Sequence, residues 1–177
     1  MTKYYTGVGS RSTPQDVMGL MTKVATKLES LGYVLRSGAA DGADTGFESG
    51  VMNPLNKQIF IAWNGFSNRY SSEKGVFNVK GEVVDQAEEI ASSIHPAWGR
   101  LSRGAKGLHT RNIFQCLGPT LNHPSKFLIC YAEVDKHGTP KGGTRTAWEC
   151  AKQNNIPCFN LFFEEDRERI MKFIGEV

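Results

Sequence analysis

Lys126-Phe127-Leu128-Ile129-Cys130-Tyr131 is a near-continuous apolar run. A strand with one wet face alternates apolar and polar side chains. An unbroken run is the pattern of a strand covered on both faces, as in a parallel sheet. The sequence around it alternates between strand and helix periods. Residues 4–8 predict a strand, and a Gly/Ser/Thr/Pro loop follows over 9–14. Val17, Leu20, Met21, Val24 and Leu28 then recur at spacings of three and four, which predicts a helix that Gly32 ends. Residues 33–35, 58–62 and 157–161 predict further strands. Helices are predicted from Ala43, over 82–93, over 101–117, up to about Asn154 and over 164–174. This alternation predicts an α/β fold: a Rossmann-like, doubly wound parallel sheet in a single domain spanning 1–177. Residues 63–80 mix Asn, Ser, Gly and aromatics without a period, and are expected to form a surface excursion that acts as a lid.

The length of 177 residues fits one domain, and 40% apolar residues suffice for a core without disulfides or a structural metal. The four cysteines form no CxxC pair, so free, mostly buried thiols are expected and no metal site. Residues 1–9 lack the apolar run of a signal peptide, and no stretch approaches the roughly 20 apolar residues that cross a bilayer, so no membrane partner and a cytoplasmic location are expected. The formal charge is +3. Proteins that track a long nucleic-acid backbone carry a stronger basic excess, so the charge argues against nucleic acid as a partner.

Three loops rich in small residues, 9–14, 36–42 and 141–146, each follow a predicted strand or enter a helix next to one. In a doubly wound sheet such loops gather at the carboxyl edge, where ligands bind. Gly142 and Gly143 precede a predicted helix N-terminus, whose first-turn N–H groups are free to bind an anion. Thr144 and Thr146 add hydroxyl donors, and Lys141 and Arg145 add positive charge. A helix entry capped by threonine accounts for the same residues. Glu149 lies one turn further in, where it faces the cradle or closes a capping box on Thr146. Arg111 suits a bidentate contact with phosphate, or a solvated helix face. Gly9, Ser10, Arg11, Ser37 and Gly38 are the candidate nucleotide contacts from the first two loops. Asp41 and Asp44 suit a ribose hydroxyl or a helix cap, and Trp98 suits a stacked base or a buried structural role.

Gly142-Gly143-Thr144-Arg145-Thr146-Ala147-Trp148-Glu149 resembles the PGGxGTxxE motif of the LOG proteins, the "lysine decarboxylase-like" phosphoribohydrolases. His109-Thr110-Arg111-Asn112 resembles their MxxRK segment. Gly9-Ser10-Arg11 and Ser37-Gly38-Ala39-Ala40-Asp41-Gly42-Ala43-Asp44 look more like DprA, a DNA-processing relative. Both belong to the SLOG superfamily of Rossmann-like nucleotide binders. The resemblance implies a nucleotide or nucleotide-derived small molecule as partner, no cofactor and a homo-oligomer. The LOG side of it implies hydrolysis of the N-glycosidic bond of a nucleoside 5′-monophosphate. Gly142, Gly143, Thr144 and Thr146 would then hold the phosphate, and Arg111 and Glu149 would be catalytic. Lys141 replaces the motif proline, Arg145 its later glycine, and Asn112 the lysine after the arginine. Those departures favour a non-catalytic sensor or sponge as the alternative, with a DprA-like single-stranded DNA binder as the second.

Overall fold

The computed structural model describes residues 1–175. Its strands are β1 (Lys3–Gly9), β2 (Tyr33–Ser37), β3 (Lys57–Phe60), β4 (Val76–Phe77), β5 (Leu128–Tyr131) and β6 (Cys158–Asn160). Its helices are α1 (Gln15–Ser30), α2 (Ala43–Glu48), α3 (Glu82–Ile94), α4 (Arg103–Leu117), α5 (Thr144–Gln153) and α6 (Glu164–Phe173). The strands form one sheet in the order β4-β3-β2-β1-β5-β6, and every neighbouring pair is parallel. The expected Rossmann-like, doubly wound sheet is therefore present. The chain steps outward from β1 to β4 and then returns to the other side of β1, so the direction of winding reverses between β1 and β5. Among the described residues no helix is long and apolar enough to cross a membrane.

Side chains of each strand alternate between two cores, as the two-residue period of a strand requires. Tyr5, Leu35, Ile59, Ile61, Ile129 and Leu161 pack on one face, against apolar residues of α1, α2 and α6. Val8, Phe60, Leu128 and Cys130 pack on the other face, against α3, α4 and α5. Gly7 lies where the Phe47 ring of α2 presses on β1, and a Cβ there would stand 2.7 Å from the ring. Residues 63–80 contain an unforeseen edge strand, β4. Ile59 N–H donates to Gly75 O and Ile61 N–H to Phe77 O, which extends the sheet into that segment. A paired stretch of two residues is too short to have a period, so nothing in the sequence distinguishes it.

The ends of the central strands are tied to each other through Ser10. Its N–H donates to Tyr131 O at 2.8 Å, and its carbonyl accepts from Ala43 N–H at 3.1 Å. Gly42, at φ +78°, lies against the Ser10 and Arg11 carbonyls so closely that a Cβ would stand 2.3 Å from Ser10 O. Gly32 shares the positive φ, at +86°, but faces open space. The two glycines thus separate backbone strain from close approach. Gly32→Ala is expected to cost about 1 kcal/mol, from the left-handed backbone alone, and to lower the melting temperature by about 2–4 °C. Gly42→Ala is expected to cost roughly 3 kcal/mol or more, because the loop must also shift. Thermal or urea unfolding of the two variants measures the difference, and equal losses would contradict it.

Candidate functional site

The loops that follow β1, β2 and β5 enclose a cavity of about 600 Å³ at the carboxyl edge of the sheet, at the winding reversal. Gly9, Ser10 and Arg11 line it from the first loop and Asp44 from α2. Leu108, His109, Arg111, Asn112 and Gln115 line it from α4, at the spacing of one helix face. Lys141, Gly142, Gly143 and Thr144 close it at the N-terminus of α5.

The glycine loop is open. Gly142 has φ +69° and Gly143 a helical backbone, and a Cβ added at either meets nothing within 4 Å. Asn112 Nδ2 donates to Gly143 O at 3.0 Å and fixes the loop against α4. The loop therefore presents the start of a helix, the positive end of its dipole, to vacant space beside two cations. Those cations are Arg11 and Lys141. The ion pairs among the described residues lie elsewhere, at Lys57–Glu48, Arg69–Glu48, Arg69–Glu73 and Arg169–Asp166.

Deeper in, the site is polar and buried. Arg111 is buried, with Nη1 donating to Gly38 O, Nε donating to Leu108 O at 3.4 Å, and its guanidinium 5.4 Å from the Phe66 ring centroid. Asp44 is only 4% exposed and accepts from Ala40 N–H at 3.2 Å. Burial pushes its carboxyl up to about 6, against the pull of Arg111 and the Ala40 hydrogen bond. Burial also lowers Arg111, against the pull of Asp44, so desolvation outweighs their mutual attraction for both groups. Gln115 is 1% exposed, and neither polar atom of its amide has a partner among the described residues. A Cβ at Gly38 would lie 2.4 Å from that amide and 2.5 Å from Arg111 Nη1, so only glycine lets the second loop pass between them.

Several residues singled out in the sequence are not brought to the cavity. Glu149 does not line it. It lies towards Cys158, where its charge adds to the upward push that burial exerts on that thiol. The turn of α5 that places Thr144 and Ala147 inward rotates Glu149 away. Thr146 is buried, and its Oγ1 shares a 2.7 Å hydrogen bond with His109 Nδ1 instead of facing the cradle. Arg145 is exposed, and it does not line the cavity or close the loop. Asp41 is exposed outside the cavity, and the buried Ser37 hydroxyl donates to Gly7 O at 2.6 Å. Trp98 packs behind the site, 6.5 Å from the His109 ring and under Lys106. Conversely, Gln115, Asn112 and Tyr131 line the cavity without having been anticipated as contacts. Asn112 and Gln115 lie on a stretch of α4 whose residues 110–117 are all buried, which no periodicity in the sequence marks, and Tyr131 ends the apolar run of β5.

The fold resembles the solved structure of DNA processing protein A from Helicobacter pylori, described for its single-stranded DNA binding mode. The match covers 98% of this chain and 79% of that chain, with a TM-score of 0.60 and 15% identity. At that identity the likeness is one of fold, a Rossmann-like domain, and the match does not single out the LOG proteins. No family model and no curated relative matches the chain. The argument from net charge against nucleic acid as a partner is overturned, since a fold of this kind serves a single-stranded DNA binder. Net charge averages over the whole surface, whereas a strand responds to the cations beside it.

His109 makes the site's electrostatics measurable. Burial, then the neighbouring His95 and Arg111, lower its pKa to about 4. Its folded value lies below the ordinary value of about 6.5, so its contribution to stability is full above pH 6.5 and is lost as pH falls towards 4. A proton NMR titration is expected to show the His109 ring neutral down to about pH 4. The fall in urea midpoint between pH 7 and pH 5 is expected to be shallower in His109→Asn. A ring that titrates at its ordinary value would contradict both expectations.

Proposed function

We propose that the chain binds single-stranded DNA and seats one backbone phosphate of the strand against Gly142 and Gly143. The observation that carries this reading is the open glycine loop at the start of α5, flanked by Arg11 and Lys141 at a cavity on the carboxyl edge. Phosphate needs close backbone approach, N–H donors and positive charge, and the loop supplies all three. The likeness to a single-stranded DNA binder supports the same reading. A crevice of this size admits one nucleotide unit rather than a duplex, which favours a strand with unpaired bases.

A second reading, a free nucleotide or nucleotide-derived ligand, is favoured by the volume alone, since about 600 Å³ falls within the range of roughly 300–1,000 Å³ of small-molecule sites. Mass spectrometry of ligand released on denaturation distinguishes it. The glycosidase reading has less support, because Glu149 stands outside the cavity and its cleavage chemistry would need a carboxylate at the sugar.

Fluorescence anisotropy with a labelled oligothymidylate tests the strand reading. The logarithm of affinity is expected to fall with the logarithm of salt, with a slope of about −0.7 for each phosphate neutralised. Lys141→Ala is expected to reduce that slope by about one phosphate. Gly143→Asp suits the local backbone, and its Cβ would meet nothing within 4 Å, so it should fold normally. It places a carboxylate where the phosphate would sit, and affinity is expected to fall roughly tenfold or more. Undiminished binding by a folded Gly143→Asp chain would refute the assignment.

A further inference from the structure

A second hollow, of about 320 Å³, adjoins the first. It lies past the ends of β3 and β4, under the first two turns of α4. Phe60, Phe77 and Phe114 form its floor, with the Phe60 ring 5.5 Å from Phe77 and 6.0 Å from Phe114. Trp63 forms one wall. Its indole lies over Gly104 of α4, meets Phe66 edge-on at 5.3 Å, and remains 44% exposed. Arg103 and Lys106 stand at the rim, at the positive end of the 15-residue α4, and among the described residues neither is in an ion pair, while Lys106 Nζ lies 5.8 Å from the Trp98 ring centroid. Glu88 is the carboxylate that lines it.

The two hollows share a wall. Arg111 lines both, and Phe66 packs between its guanidinium and Trp63. A flat, half-exposed indole beside cations is what an unpaired base stacks on, because every base has a π-face and the cations meet its phosphate. Glycines at 104 and 107 keep the α4 surface low, so Trp63 and Ala62 approach the helix backbone and the hollow stays open above them. A well-packed core would have no use for a half-exposed tryptophan in a hollow that two basic residues also line, next to the first cavity.

We infer that this hollow is a base-stacking subsite for the nucleotide next to the one held at Gly142–Gly143, with Trp63 as the platform and Arg103 and Lys106 against the adjoining phosphate. The inference rests on the single-strand reading above. It makes the interface a track across two hollows rather than one pocket, with Arg111 as the partition between consecutive nucleotides.

Anisotropy on the full chain with labelled oligothymidylate, and with an abasic deoxyribose-phosphate strand of equal length, tests it. Trp63→Ala is expected to weaken oligothymidylate binding roughly tenfold or more, to leave the abasic strand unchanged, and to remain folded at the assay temperature. Trp63→Phe should retain most of the affinity. The double variant Arg103→Ala, Lys106→Ala, both at a helix surface, should reduce the salt slope for both strands. If Trp63→Ala binds oligothymidylate like the wild type while Gly143→Asp loses it, the stacking subsite is wrong and the phosphate site stands. If the wild type binds neither strand, both readings fall. Should Trp63→Ala fail to fold, Trp63→Phe and the double variant decide: an unchanged salt slope in the double variant overturns the subsite.

Discussion

The backbone of Ser10 is the fastening on which the carboxyl edge depends. Its carbonyl accepts from Ala43 N–H, from Thr13 N–H at 3.3 Å and from Thr13 Oγ1 at 2.6 Å, while its N–H donates to Tyr131 O. The backbone of one residue thus joins the ends of β1 and β5 to the start of α2. Gly9 and Gly42 make this possible by lacking side chains: a Cβ on Gly9 would stand 2.5 Å from Tyr131 O, and one on Gly42 would enter the Ser10 carbonyl. The close approach fixes Asp44 at the floor of the cavity and Arg11 at its mouth.

From that fastening the interior of the site follows a consistent division of labour. Buried groups hold the loops, and exposed groups are left for a ligand. Arg111 spends a guanidinium N–H on Gly38 O and Asn112 its amide on Gly143 O, so two side chains one position apart on α4 restrain two of the three loops. Such contacts between buried groups are costly to leave unmade, which restrains the loops. The cations that make no ion pair among the described residues, Arg11, Lys141, Arg103 and Lys106, line the hollows, where a polyanion can reach them without the desolvation that a buried charge requires.

The same buried arginine shows why a motif resemblance needed geometry to interpret it. Arg111 and Glu149 match a catalytic pair only through the resemblance to the LOG proteins, yet one is committed to loop structure and the other does not line the cavity. Thr146, expected at the phosphate, is paired with His109 across the interface of α4 and α5. Each of these residues has an orientation set by the rotation of its helix about its own axis. That rotation is fixed by packing against the sheet, to which short motifs are blind.

Local periodicity was enough to reveal the strand–helix alternation, the parallel sheet and the three small-residue loops, because a two-residue or 3.6-residue repeat is a property of neighbouring residues. The unbroken run around β5 likewise announced a strand buried on both faces. What only tertiary structure decided is non-local. The edge strand β4 exists because Gly75 O and Phe77 O meet the N–H groups of β3, and its two residues have no pattern of their own. The inward face of α4 is equally unreadable, since residues 110–117 are buried on every side and no apolar stripe marks one. Which polar residues meet in the cavity was therefore settled by how the helices seat on the sheet, a matter of shape and volume between distant segments rather than of sequence order.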